Sequence, residues 1–122
     1  MDESKKVLLI EDNEDVRLII SLILNDDGFD VIQSDSLEIL RELNTIKPNL
    51  ILMDNTLQDG SGSEMCKKLK SNHETAHYPI ILISAATDLS KIAKESLADG
   101  YIEKPFDLTN FVKKLKEFKV EK

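Results

Sequence analysis

A chain of 122 residues with 41% hydrophobic content can form one domain around a single core, and we expect that domain to span residues 1–122. Its net charge of −7 argues against direct nucleic-acid binding, because phosphate neutralisation needs clustered Lys and Arg. The longest apolar runs have four residues, which excludes a membrane span, and a polar N-terminus with the single cysteine Cys66 predicts a cytoplasmic protein.

Short apolar runs alternate with amphipathic segments along the whole chain. The runs predict strands near 6–10, 29–33, 49–53, 79–83 and 100–103. The amphipathic segments predict helices near 14–27, 36–46, 62–71, 88–98 and 107–118. This alternation is typical of βα units around a parallel sheet, so we expect an α/β fold with five such units.

The helix predictions rest on spacing and on capping residues. Asp35 and Ser61 each precede a Glu by three residues, which predicts capping boxes. Gly28 and Gly100 lie where a helix is expected to end in a left-handed residue. The stripe predicted to face the core from the first helix consists of Val16, Ile19, Ile20 and Ile23.

Strand composition predicts the order of the sheet. The runs 7–10, 50–53 and 80–83 are apolar throughout, as central strands covered on both faces must be. The segments 29–33 and 101–103 are mixed, which suits edges. We therefore expect a doubly wound, five-stranded parallel sheet in the order 2-1-3-4-5, with ligands bound beyond the carboxyl ends of strands 1 and 3.

Polar residues suited to phosphoryl chemistry follow these strands. Glu11 and Asp12 follow the first strand, Asp54 the third, Ser84 the fourth and Lys104 the fifth. Three carboxylates at one sheet edge repel one another unless a cation is bound, and Mg²⁺, with Mn²⁺ as the alternative, suits such ligands. Acidic residues at a helix N-terminus are favoured by the helix dipole, which would be enough to explain Asp12. It would explain neither Asp54 nor Lys104, which follow other strands. An aspartate in this setting can attack phosphorus to form an aspartyl-phosphate.

In these residues the chain resembles the receiver domains of bacterial response regulators, the CheY-like family, over essentially its whole length. The resemblance implies the flavodoxin/CheY-like (βα)5 fold. One departure is Gln58, where the family usually has Pro, and we expect it to affect kinetics or dynamics. The matching segments are Glu11-Asp12, Asp54, Leu57-Gln58-Asp59-Gly60-Ser61-Gly62, Ser84-Ala85, Tyr101 and Lys104-Pro105-Phe106.

The resemblance implies a phosphorylation-dependent switch of a two-component system. Asp54 would accept phosphate from a phosphohistidine on a sensor histidine kinase or a phosphotransfer protein. Asp12, Asp54 and the backbone carbonyl of Thr56 would bind Mg²⁺ directly, and Glu11 would act largely through water. The domain would assist its own phosphorylation and dephosphorylation, and would not be an enzyme acting on a metabolite.

The resemblance also implies how the switch would be transmitted. Ser84 and Lys104 would bind the phosphoryl group. Ser84 would then move toward the phosphate and Tyr101 would turn inward, which would reshape the surface of the fourth helix, fifth strand and fifth helix. That surface would bind a downstream protein target or a second copy of the chain.

Three other classes share part of the pattern. A phosphohydrolase with an aspartate nucleophile would have a second Asp two residues after Asp54, where this chain has Thr56. An FMN-binding protein of the same sheet order would have a hydroxyl- and glycine-rich loop after the first strand, where this chain has the acidic run 11–15. A non-enzymatic interaction module that is never phosphorylated would keep the fold, and Mg²⁺ binding and reaction with acetyl phosphate would distinguish it.

Overall fold

The computed structural model describes residues 5–85, 88–104, 111 and 113. The central sheet has five parallel strands whose order across the sheet, numbered along the chain, is 2-1-3-4-5, so the predicted order is confirmed. Each observed strand lies within one residue of its predicted range. The strands are β1 (Lys5–Ile10), β2 (Phe29–Ser34), β3 (Leu50–Asp54), β4 (Ile80–Ser84) and β5 (Gly100–Glu103).

Helices connect the strands, with one correction to the predicted set. The α-helices are α1 (Glu14–Asp26), α2 (Leu43–Ile46), α3 (Gly62–Ser71) and α4 (Leu89–Glu95). Where one helix was predicted over 36–46, a 3₁₀ helix (Leu37–Glu42) leads directly into α2. Of the predicted helix 107–118, only Phe111 and Lys113 are among the described residues, and both are helical. Within the ranges given above, no helix is both long and apolar enough to cross a membrane.

The central strands bury side chains on both faces of the sheet. One cluster joins Leu8, Ile10, Ile51, Met53, Ile80 and Leu82 to residues of the 3₁₀ helix, α2, α3 and α4. The other joins Val7, Leu9, Leu50, Leu52, Ile81 and Ile83 to residues of α1 and to Phe111. Because both faces are covered, the buried runs 7–10, 50–53 and 80–83 are apolar at every position, unlike strands with one solvated face.

Helix α1 carries apolar residues on more than its packed side. Ile20 and Leu24 are fully buried, at 0% and 1% exposure. Ile19, predicted to belong to the buried stripe, is 48% exposed and lies on the outer side with Leu18 and Leu22. Because apolar residues lie on several sides of this helix, their spacing alone does not identify the buried side, and the prediction that Ile19 is buried is wrong.

The starts of two helices test the predicted capping boxes. Ser61 Oγ accepts a hydrogen bond from the Glu64 backbone N–H at 3.3 Å, as expected at the start of α3. The 3₁₀ helix begins after Ser36, and Ser36 Oγ accepts from the Glu38 N–H at 3.1 Å. The prediction of Asp35 as the capping residue is therefore wrong by one position.

The left-handed residues after α1 and α4 differ from the prediction in one case. Gly28 follows α1 with φ +94°, as expected. Gly100 instead lies in β5, and the left-handed residue after α4 is Leu97, with φ +68°. A β-carbon makes this conformation unfavourable, so composition pointed to the glycine instead.

Candidate functional site

Strand register brings three carboxylates to one edge of the sheet. Ile10, the last residue of β1, pairs with Met53 of β3. The residues that follow them, Glu11 and Asp54, therefore lie side by side. Oxygen atoms of Glu11, Asp12 and Asp54 all lie within 4.8 Å of one another. Glu11 is 1% exposed and Asp54 6%, so two of the three negative charges are removed from water.

Lys104 reaches this acidic cluster from the end of β5. Its backbone N–H donates to the Ser84 carbonyl at 2.9 Å, which extends the hydrogen bonding between β4 and β5 by one residue. Its Nζ donates to Glu11 Oε1 at 2.9 Å and lies 3.7 Å from Asp54 Oδ2. One ammonium group faces three carboxylates, so the cluster retains a net negative charge.

The remaining sequence-predicted residues are Ser84, Tyr101 and Thr56. Ile83 is level with Asp54 across β3 and β4, so the buried Ser84 lies one residue beyond the carboxylate. Tyr101 is half-buried and packs against the hydrophobic core on the α4 side of the sheet. Thr56 is exposed two residues beyond Asp54, and its backbone N–H lowers the pKa of the Asp54 carboxyl.

The environment of Asp54 favours a bound cation. Burial is the main reason that the pKa of Asp54 rises from its ordinary 3.8 to about 6. The negative charge of Glu11 raises this pKa further, whereas Lys104 and the Thr56 N–H lower it. Buried carboxylate oxygens close together are the ligand set that a small, hard cation such as Mg²⁺ prefers.

The pKa of Asp54 predicts a pH-dependent cost to folding. Between pH 3.8 and about 6 the folded protein holds a proton on Asp54 that the unfolded chain has lost, so stability falls as pH rises through this window. The full cost, up to about 3 kcal/mol, is present above the window. We expect Asp54→Asn to unfold at higher temperature than wild type in EDTA at pH 7.5, with little difference at pH 4. Thermal unfolding at both pH values checks this, and a difference that does not grow with pH would contradict it.

Main-chain contacts hold the loop after Asp54 against the start of α3. The Gly62 N–H donates to the Asn55 carbonyl at 2.8 Å, and the Ser63 N–H donates to Asn55 Oδ1 at 3.0 Å. A Cβ at Gly62 would overlap the carbonyl oxygen of Asp54. Asn55 therefore helps cap α3, and Gly62 allows the helix to approach the strand end, two roles that the sequence patterns did not predict.

Asp59 ties the same loop to the 3₁₀ helix. Its Oδ2 accepts from Ser36 Oγ at 2.7 Å and from the Leu37 N–H at 3.0 Å. The loop forms a short antiparallel ribbon of Thr56–Leu57 with Gly60–Ser61, and Gln58 is exposed at its turn. The side-chain hydrogen bonds of Asp59 therefore restrain the loop next to Gln58, where the sequence has no proline.

Asn13 in the β1–α1 turn and Arg17 in α1 also contact Glu11. The Asn13 N–H donates to Glu11 Oε2 at 3.1 Å, while Asn13 Oδ1 accepts from the Val16 N–H at 3.0 Å and caps α1. Arg17 Nη1 donates to the Glu11 carbonyl oxygen at 2.8 Å. Asn at a helix start is a recognisable sequence signal, whereas nothing in the spacing of Arg17 indicates this contact.

Comparisons with known proteins agree on one family. The family model of the response regulator receiver domain matches residues 7–116. The polar-differentiation response regulator DivK of Brucella ovis is 32% identical over 119 residues, which cover 94% of this chain and 96% of DivK. The phosphate regulon regulator PhoB of Escherichia coli is 29% identical over 116 residues, which cover 93% of this chain. The chain spans only 51% of PhoB, and 8% of a histidine kinase, P4, of Formosa agariphila.

Solved structures share the fold. A CheY-like receiver domain protein of Methanospirillum hungatei superposes with a TM-score of 0.85 at 26% identity, covering 97% of this chain and 94% of that one. The receiver domain of the sensor histidine kinase PA1611 of Pseudomonas aeruginosa, solved with magnesium in its active site cleft, superposes with a TM-score of 0.82 at 21% identity. The matched regions cover 95% of this chain and 98% of that domain. The chain therefore belongs to the response regulator receiver domain family of two-component systems.

Proposed function

We propose that residues 1–122 form one receiver domain that acts as a phosphorylation-dependent switch, with Asp54 as the phosphoacceptor and a phosphohistidine protein as the donor. The observation that carries the proposal is the meeting of Glu11, Asp12 and Asp54, with oxygens within 4.8 Å of one another, and the Lys104 ammonium 3.7 Å from Asp54. An isolated acidic helix terminus would require neither the buried aspartate of β3 nor the lysine after β5.

The proposed reaction uses the Asp54 carboxylate as a nucleophile. With a pKa of about 6, Asp54 is mostly ionised at neutral pH, so a carboxylate oxygen can attack phosphorus. The new O–P bond forms as the P–N bond of the phosphohistidine breaks, and the imidazole nitrogen keeps the bonding electron pair. Lys104 and Ser84 would bind the phosphoryl oxygens, where negative charge is concentrated in the transition state.

The ligand set fits a divalent cation. Asp12, Asp54 and the Thr56 carbonyl would hold Mg²⁺ or Mn²⁺ directly, with Glu11 acting through water. When bound, the cation would neutralise charge on the phosphoryl oxygens. The magnesium in the PA1611 receiver domain supports this proposal.

Phosphorylation would be transmitted through Ser84 and Tyr101. Ser84 is buried beside the acceptor strand, and Tyr101 lies half-buried on β5 next to the α4 side of the sheet. Movement of Ser84 toward a phosphoryl group would open space near the aromatic ring, and an inward turn of Tyr101 would change the surface of α4, β5 and the fifth helix. A downstream protein or a second copy of the chain would read that surface.

The direct test of this function is the intact mass of the protein after incubation with acetyl phosphate, with Mg²⁺ or with EDTA. One added phosphoryl group that appears only with Mg²⁺ is the expected result. If no adduct forms, beryllofluoride binding separates the two explanations. Binding would indicate rapid hydrolysis of the acyl phosphate, whereas no binding would support the non-phosphorylated interaction module and overturn the proposal.

We predict that Lys104→Ala still accepts phosphate but switches poorly. Loss of the ammonium group should slow phosphorylation roughly 100- to 1,000-fold, because charge stabilisation in the transition state is weaker. It should also remove most of the phosphorylation-dependent change at Tyr101, since the phosphoryl group loses a partner. The change is measured by NMR of backbone amides around Tyr101, with Lys68→Ala on the exposed side of α3 as the control. A full wild-type change in the phosphorylated Lys104→Ala protein would disprove the proposed role.

A further inference from the structure

Arg17 makes an unusual contact for a charged side chain beside an acidic cluster. It is half-buried on the first turns of α1, and its Nη1 donates to the main-chain carbonyl of Glu11 at 2.8 Å. In the part of the chain that the structure describes, no carboxylate lies within 4.0 Å of its guanidinium. The guanidinium therefore holds the backbone beside the cluster and leaves the carboxylate oxygens uncovered.

The contact completes a set of restraints on Glu11. The Glu11 N–H donates to the Ser34 carbonyl at 3.0 Å. The two carboxylate oxygens accept from Lys104 Nζ at 2.9 Å and from the Asn13 N–H at 3.1 Å. Arg17 supplies the partner of the one remaining polar atom, the carbonyl oxygen. That carbonyl belongs to the peptide group that joins Glu11 to Asp12, so its orientation determines how Asp12 leaves the strand.

We propose that Arg17 is a positioning residue of the cation site, which acts by fixing the Glu11–Asp12 peptide and thereby the Asp12 carboxylate. The inference rests on the cation binding contained in the proposed function. Arg17 differs from Lys104, which donates to a carboxylate oxygen and so competes with a cation for it. A donor to a main-chain oxygen can organise the ligands without occupying any of them.

The alternative role, simple charge compensation, predicts an effect of the opposite sign. If Arg17 acted only through its charge, removing that charge would make the cluster more negative and would strengthen cation binding. If Arg17 positions Asp12, removing it should weaken cation binding even though the local charge becomes more favourable. The sign of the change in Mg²⁺ affinity therefore separates the two roles.

The experiment compares Arg17→Gln, Arg17→Lys and the control Arg41→Gln in the full chain. Arg41 is exposed on the 3₁₀ helix and is the second of the two arginines of the chain, so its replacement removes the same charge elsewhere. Mg²⁺ titrations followed by NMR give the affinity, and hydrogen exchange of the Asn13 amide in EDTA reports the turn without metal. Thermal unfolding shows whether each variant is folded.

We expect Arg17→Gln to bind Mg²⁺ about tenfold more weakly than wild type, as loss of an outer partner of a metal ligand typically does. The Asn13 amide should exchange faster in Arg17→Gln than in wild type. In both Mg²⁺ affinity and exchange rate, Arg17→Lys should lie between wild type and Arg17→Gln, and Arg41→Gln should match wild type. Equal or tighter Mg²⁺ binding by Arg17→Gln would overturn the inference. If the wild type binds no Mg²⁺, the proposed function fails separately. The exchange rate then decides: unchanged Asn13 exchange in Arg17→Gln overturns the positioning role, and faster exchange supports it. If Arg17→Gln does not fold, the same comparisons apply to Arg17→Lys.

Discussion

Replacing Asp54 by Asn is expected to abolish the Mg²⁺-dependent phosphoryl adduct formed with acetyl phosphate. The amide has nearly the same shape as the carboxylate but is a poor nucleophile, so the attack on phosphorus is lost while the fold remains. Removal of a reacting group of this kind lowers rates by about 10⁴-fold or more, which leaves no measurable adduct. Intact-protein mass spectrometry with acetyl phosphate and Mg²⁺ measures the effect.

The matched control is Asp30→Asn, which removes an exposed carboxylate of β2 outside the acidic cluster. This variant should gain one phosphoryl group at the wild-type rate. An Asp54→Asn protein that gained phosphate as fast as wild type would place the acceptor elsewhere, with Asp12 the first alternative because it lies in the same cluster. Unfolding in EDTA shows independently that the Asp54→Asn variant is folded.

The sheet and its ends could be predicted from the sequence because their signals are local. A strand covered on both faces must be apolar at every position, so runs such as Val7–Ile10 identify central strands without reference to any partner. Parallel strands share one carboxyl edge, so residues directly after those runs converge whatever the helices do. Glu11 and Asp54 meet for this reason, and Lys104 follows from the edge strand.

The contacts that organise the site could not be predicted because their partners are distant in sequence or belong to the main chain. Asp59 accepts a hydrogen bond from the N–H of Leu37, which begins the 3₁₀ helix 22 residues earlier in the chain. No local sequence pattern indicates such a pair. Arg17 reaches a carbonyl group, which every residue possesses. The conformation of Leu97 similarly depends on how α4 joins β5, and residue type favours the neighbouring glycine.

Gly62→Ala is expected to destabilise the protein by about 2–4 kcal/mol, the combined cost of overpacking and of two displaced hydrogen bonds. The new methyl group would overlap the Asp54 carbonyl oxygen, so the start of α3 would have to move away from the strand end. That movement breaks the donations of the Gly62 and Ser63 N–H groups to Asn55. Because the same loop carries Thr56, Mg²⁺ affinity should fall together with the unfolding temperature.

The control for this prediction is Gly28→Ala, at a glycine with φ +94° and no atom within 4 Å of the added carbon. It should cost only about 1–2 kcal/mol, from the left-handed backbone, and should leave Mg²⁺ affinity unchanged. Denaturant unfolding and Mg²⁺ titration of both variants measure these effects. If the two substitutions cost the same and neither alters Mg²⁺ binding, close packing of α3 against Asp54 does not support the site. A larger loss at Gly62 with weaker Mg²⁺ binding would show that the geometry at the end of β3 depends on the absence of one carbon atom.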